Sequence, residues 1–89
     1  MIDYIDVKNF GFKRVKCHDE VYENQHGREY WWMQYDVTII GDGFRNKITF
    51  IWNCDVRDIK VFLNDTTQID TFDDFDKFAK YFEMFRSLI

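Results

Sequence analysis

The sharpest pattern in the chain runs from Glu29 to Ile40, where side chains alternate without a break between two sides. Trp31, Met33, Tyr35, Val37 and Ile39 fall on one side; Tyr30, Trp32, Gln34, Asp36 and Thr38 fall on the other. A period of two with aromatic and branched residues predicts a strand that buries one face. Gly41-Asp42-Gly43 interrupts it, and a second strand is expected over Lys47 to Asn53. There Ile48, Phe50 and Trp52 share a side opposed by Lys47, Thr49 and Ile51. Another strand is expected over Asp58 to Leu63, with Ile59, Val61 and Leu63 inward and Phe62 outward. Upstream, Phe12 to Tyr22 alternates as well. The small apolar residues Val15, Cys17 and Val21 are assigned to the core, which puts Phe12, Arg14, Lys16, His18 and Tyr22 on the opposite face.

The period changes near the C-terminal end. Phe72, Phe75, Phe78, Ala79, Phe82, Phe85 and Ile89 recur at steps of three and four, one apolar stripe of a helix over Thr71 to Ser87. Thr71 is the expected N-cap, and Asp73, Asp74 and Asp76 suit the positive first turn. Asp3 to Asn9 is expected to form a short helix that Gly11 terminates. The fold class is therefore α+β, one domain over residues 1–89. Its expected form is a four-stranded antiparallel meander with the C-terminal helix packed on one face.

Composition then bounds the function. The chain has 89 residues and a net charge of −4, which opposes sequence-blind binding to a phosphate backbone. No apolar run approaches the roughly 20 residues of a bilayer span. Met1 to Asp6 lacks the basic start and apolar stretch of a signal peptide, so a cytoplasmic protein is expected, with Cys17 and Cys54 as reduced, structural thiols. Pro is absent and Ala79 is the sole alanine. Residues with AT-rich codons (Phe, Tyr, Ile, Asn, Lys, Met) take 39 positions against 10 for Gly, Ala, Arg and Pro, which points to an AT-rich bacterium or its phage.

Candidate chemistry is sparse. Cys17 and His18 are neighbours on an expected strand and so face opposite ways, which prevents a dyad. Cys17, His18, His26 and Cys54 contain no pair with zinc-site spacing; a site from His18, Glu20 and His26 across the first hairpin is the lesser alternative, and Gly41-x-Gly43 lacks the third glycine and the helix of a dinucleotide loop. No catalytic residue, metal or cofactor is assigned, and the chain is expected not to be an enzyme.

Two surfaces remain. If the helix covers one sheet face, the other carries Phe12, Tyr22, Tyr30, Trp32, Ile51 and Phe62, more large apolar surface than a monomer usually exposes. The N-terminal segment folds over it through Ile2, Ile5, Val7 and Phe10, or two copies pair there, or another protein docks. In the last case Trp32, Tyr30, Phe62, Arg14, Phe12 and Tyr22 are the contact residues. The second surface is acidic: Asp65, Asp70, Asp73, Asp74 and Asp76 fall in a stretch without a basic residue. It is either a solvated loop and helix cap or a face for a basic partner.

In size, charge and composition the chain resembles the small acidic accessory proteins that phages of AT-rich hosts encode to block host factors. Anti-CRISPR and other anti-defence proteins are of that type. The resemblance implies a non-enzymatic inhibitor, monomeric or homodimeric, that binds a host or phage protein; it transfers no residue. The alternative is a nucleic-acid-binding module using the aromatic and basic groups of the open sheet face.

Overall fold

The alternating segment after Glu29 forms the longest strand of an antiparallel sheet in the computed structural model, which describes residues 1–86. Helix α1 (Tyr4–Phe10) leads into β1 (Lys13–Cys17), and α2 (Glu20–His26) precedes β2 (Tyr30–Gly41). Strands β3 (Phe44–Asn53), β4 (Ile59–Leu63) and β5 (Thr67–Phe72) follow, and α3 (Phe75–Arg86) closes the described chain. The sheet order is β1-β2-β3-β4-β5, with every neighbouring pair antiparallel. The α+β meander thus has five strands, not four.

The fifth strand occupies residues assigned to a loop and to the start of the helix. Thr71 pairs with Lys60 in the sheet and is not the N-cap. Asp74 takes that place: its Oδ1 accepts from the Asp76 amide at 3.0 Å, just ahead of α3. Ser87 and Ile89, the expected end of the helix, lie outside the described residues.

The apolar stripe of α3 packs where its spacing directs it. Phe78 and Phe82 are buried against Phe50, with ring centroids 5.4 and 5.5 Å away. Burying each such ring contributes roughly 1.5–3 kcal/mol. Helix α1 lies on the same side of the sheet. The Phe10 ring sits 4.9 Å from Phe82, the Trp52 indole donates to the Ile2 carbonyl at 2.8 Å, and Ile2 and Val7 are buried. The N-terminal segment therefore does not fold over the outer face. Ile2, Val7 and Phe10 belong to the core under both helices.

The stretch from Phe12 to Tyr22 is not one strand. It splits into β1 and α2, and within β1 the faces are exchanged relative to the expectation. Arg14 stands opposite Met33 and Lys16 opposite Trp31, on the helix side; Val15 stands opposite Trp32 and Cys17 opposite Tyr30, on the outer side. The large ring decides the phase. Phe12 is buried between Tyr35 and Phe78, and a shift of one residue would turn it to solvent. Cys17 is consequently exposed, Cys54 is half-buried, and both are free thiols. Helix α2 has no buried residue and is capped at both ends. Asp19 accepts from the Tyr22 amide at 3.0 Å, and Gly27 takes the left-handed conformation (φ 69°) that stops the helix.

Candidate interaction surface

Because α1 and α3 share one side, the other side of the sheet carries neither. It presents Tyr30 and Trp32 from β2, Thr49, Ile51 and Asn53 from β3, and Lys60 and Phe62 from β4. The Tyr22 ring approaches Tyr30 at 4.8 Å, and Tyr30 approaches Trp32 at 5.5 Å, so three rings form a continuous row. Their polar atoms are tied down. The Tyr30 hydroxyl accepts from Asn53 Nδ2 at 2.9 Å, and the Trp32 indole donates to Gln34 Oε1 at 2.9 Å. Gln34 donates in turn to Asp36, which also accepts from the Thr49 hydroxyl at 2.9 Å. Each ring is thus fixed by a side chain next to it, and little side-chain freedom remains to be lost on contact with a partner.

Tyr22 reaches this row from α2. Its hydroxyl donates to Asp55 Oδ2 at 2.7 Å, and Arg28 pairs with the other carboxylate oxygen. The His26 imidazole stacks 4.1 Å from the phenol ring. The hydrogen bond to Asp55 pushes the Tyr22 phenol up to about 12, with a smaller contribution from burial. The same bond, assisted by Arg28, holds the Asp55 carboxyl below the usual carboxylate range. Burial pushes Tyr30 up as well.

Four of the six expected contact residues therefore share the outer side: Tyr22, Tyr30 and Trp32 in the row, and Phe62 farther across. Phe62 joins Thr49, Ile51 and Asp65 around a shallow recess of about 250 Å³. Phe12 and Arg14 do not belong to it. Phe12 is a core residue, and the Arg14 guanidinium lies 4.1 Å over the Trp31 ring on the helix side. The acidic run is dispersed. Asp65 pairs with Lys47, Asp70 lies on the edge strand β5, and Asp74 caps α3. Carboxylates along an edge strand also discourage pairing with another sheet.

Comparison with protein-family models, with curated proteins and with solved structures finds no significant match.

Among the described residues no three His, Cys, Asp or Glu side chains converge as metal ligands. His18 faces Glu23 at 3.2 Å while His26 stacks on Tyr22, so the set His18, Glu20 and His26 does not assemble. No described helix is long and apolar enough to cross a membrane. The outer side differs in charge from the whole chain: register places Lys13, Arg45, Lys47 and Lys60 there, with Asp36 as the strand carboxylate among them. Alternation in β3 and β4 carried that signal. The bond between Tyr22 and Asp55 had none, because it joins residues 33 apart through a helix that buries nothing.

Proposed function

We propose that this chain is a non-enzymatic protein-binding module that docks through the outer sheet face, centred on Trp32. The observation that carries the reading is the placement of both packing helices on the opposite side, which leaves Tyr30, Trp32, Ile51 and Phe62 only half-buried. Large rings fixed by neighbouring side chains are typical interface anchors. Lys13, opposite Gln34, and Lys60, opposite Ile51, border them, so the complementary partner is a protein surface with an apolar centre and an acidic rim. A chain of this size acts by covering such a surface. That fits the class of phage-encoded inhibitors of host factors that its composition resembles, and it requires no catalytic group.

The test uses matched baits in cells of an AT-rich bacterial host. Wild type should retain a protein whose binding weakens with salt, and Trp32→Ala should lose it by about 2 kcal/mol or more with an almost unchanged melting temperature. Equal retention of the same protein by wild type, Trp32→Ala and Phe62→Ala would overturn the docking face.

A second reading rests on the same rings flanked by Lys13 and Lys60. Single-stranded nucleic acid binds such aromatic and basic sheet faces by stacking. Titration with single-stranded DNA and RNA at low salt separates the two, since a strand that fails to bind there removes this reading.

A further inference from the structure

On the helix side of the sheet, beside the first turn of α1, lies a cleft of about 630 Å³, within the 300–1,000 Å³ range of small-molecule sites. Three arginines reach it from segments far apart in the chain: Arg14 from β1, Arg28 from the link before β2, and Arg57 from the turn after β3. Tyr4, Trp31 and Trp52 supply an aromatic wall, and no carboxylate lines the space.

The charge is unusual for this chain. Acidic residues outnumber basic ones by 16 to 12, yet Arg14 and Arg57 have no carboxylate within ion-pair distance among the described residues. Arg28 alone is compensated, by Asp55. Two guanidinium groups without a counter-charge on one cleft give it a positive field that favours an anion.

Two features hold the arginines in place. The Arg14 guanidinium lies 4.1 Å from the centre of the Trp31 ring. Such stacking satisfies the face of the guanidinium and leaves its in-plane N–H groups to donate sideways. Arg57 has a left-handed backbone (φ 59°), clamped by its amide to the Asn53 carbonyl at 2.8 Å and by its carbonyl accepting from Ile2 at 2.9 Å. The other left-handed non-glycine positions hold Asn64 and Asp65, residue types that tolerate this conformation. Position 57 holds a long cation instead, in a conformation that does not favour it.

From this we infer that the cleft binds a phosphate ester of the nucleotide class. Arg14 and Arg57 grip the phosphate as a dianion, Arg28 borders it, and the planar base lies against the exposed ring of Tyr4. Two guanidinium groups match the charge and the several acceptor oxygens of a phosphate monoester. The ligand is a free nucleotide or the 5′-phosphorylated end of a strand. The site opens on the opposite side from Trp32, and its one link to the docking face is Arg28, whose partner Asp55 also holds Tyr22.

Tryptophan fluorescence tests the inference in the Trp32→Phe protein, where Trp31 and Trp52 are the remaining reporters. Nucleoside monophosphates should give a saturable change, with the unphosphorylated nucleoside and inorganic phosphate each weaker by about tenfold or more. Arg14→Gln and Arg57→Asn should each weaken the nucleotide by about tenfold while retaining the wild-type circular dichroism and a cooperative melt. A 5′-phosphorylated oligonucleotide that binds about tenfold tighter than the mononucleotide assigns the strand end; equal or weaker binding assigns the free nucleotide. No saturable change with nucleotide at millimolar concentration would overturn the inference. So would undiminished binding by both arginine variants, or inorganic phosphate that binds as tightly as the nucleotide.

Discussion

The hydroxyl of Tyr22 donates to Asp55 across 2.7 Å, joining helix α2 to the turn after β3. Helix α2 buries none of its residues, so this bond and the neighbouring pair between Arg28 and Asp55 are what tie it to the sheet. The network also fixes the Tyr22 ring beside Tyr30 at one end of the aromatic row.

Its pH dependence follows from the two displaced groups. The neutral phenol is favoured in the folded protein, so its contribution is complete below the ordinary value of 10.0 and fades as pH rises toward about 12. The Asp55 carboxylate is favoured when ionised. Its contribution is present above the ordinary 3.8 and is lost as pH falls through the lower folded value. Tyr22→Phe removes the main cause of the Asp55 shift. An NMR titration of the Asp55 side chain should then show its pKa rising toward the ordinary value, and an unchanged titration would mean that Arg28 alone sets it.

Phe12→Ala should be as damaging as Phe78→Ala, each costing roughly 3–5 kcal/mol in urea unfolding because both rings are buried in one core. Phe62→Ala, on the outer side, should cost clearly less. The reverse order would return Phe12 to the outer face.

Trp52→Phe retains most of the ring but removes the indole N–H, leaving the buried Ile2 carbonyl without that donor. A loss of about 1–3 kcal/mol is expected. The Ile2 amide, which donates to the Arg57 carbonyl, should exchange its hydrogen markedly faster in the variant.

Arg57→Asn places a residue that tolerates φ near +60° where arginine now sits. Thermal unfolding should show unchanged stability or a gain of up to about 1 kcal/mol. A substantial loss would mean that the arginine side chain is itself a packing element.

What the sequence revealed depended on how deeply each segment is buried. Strand β2 was legible because Met33 and Val37 face a packed core while Asp36 and Thr38 face solvent, so burial and alternation coincide. The stripe of α3 was legible for the same reason. Strand β5 was hidden: it lies at the sheet edge, Ile69 is exposed, and only Phe72 turns toward the core. With no alternation to signal a strand, Thr71 and Asp74 took the appearance of a helix cap and first turn.

The candidate surface was legible through the same strand. Tyr30 and Trp32 follow directly from the β2 alternation, and Phe62 follows from that of β4. Phe12 and Arg14 were misplaced because β1 has five residues at a sheet edge, too few for Val15 and Cys17 to outvote one large ring. Helix α2 did leave traces in Asp19, the acidic first turn of Glu20 and Glu23, and Gly27. Val21 and Tyr22 mask them by continuing the alternation of the strand before them.

The contact between Phe10 and Phe82 bears on how the chain is made. Hairpins of the meander join neighbours in sequence and can pair as they leave the ribosome. Helix α1 completes its packing last, because the ring partners Phe78 and Phe82 of Phe10 lie in α3. Until then, Phe12, Phe50 and Phe10 are offered to the cell as bare apolar surface. A chain that lacked α3 would keep that surface bare, the state in which small domains aggregate.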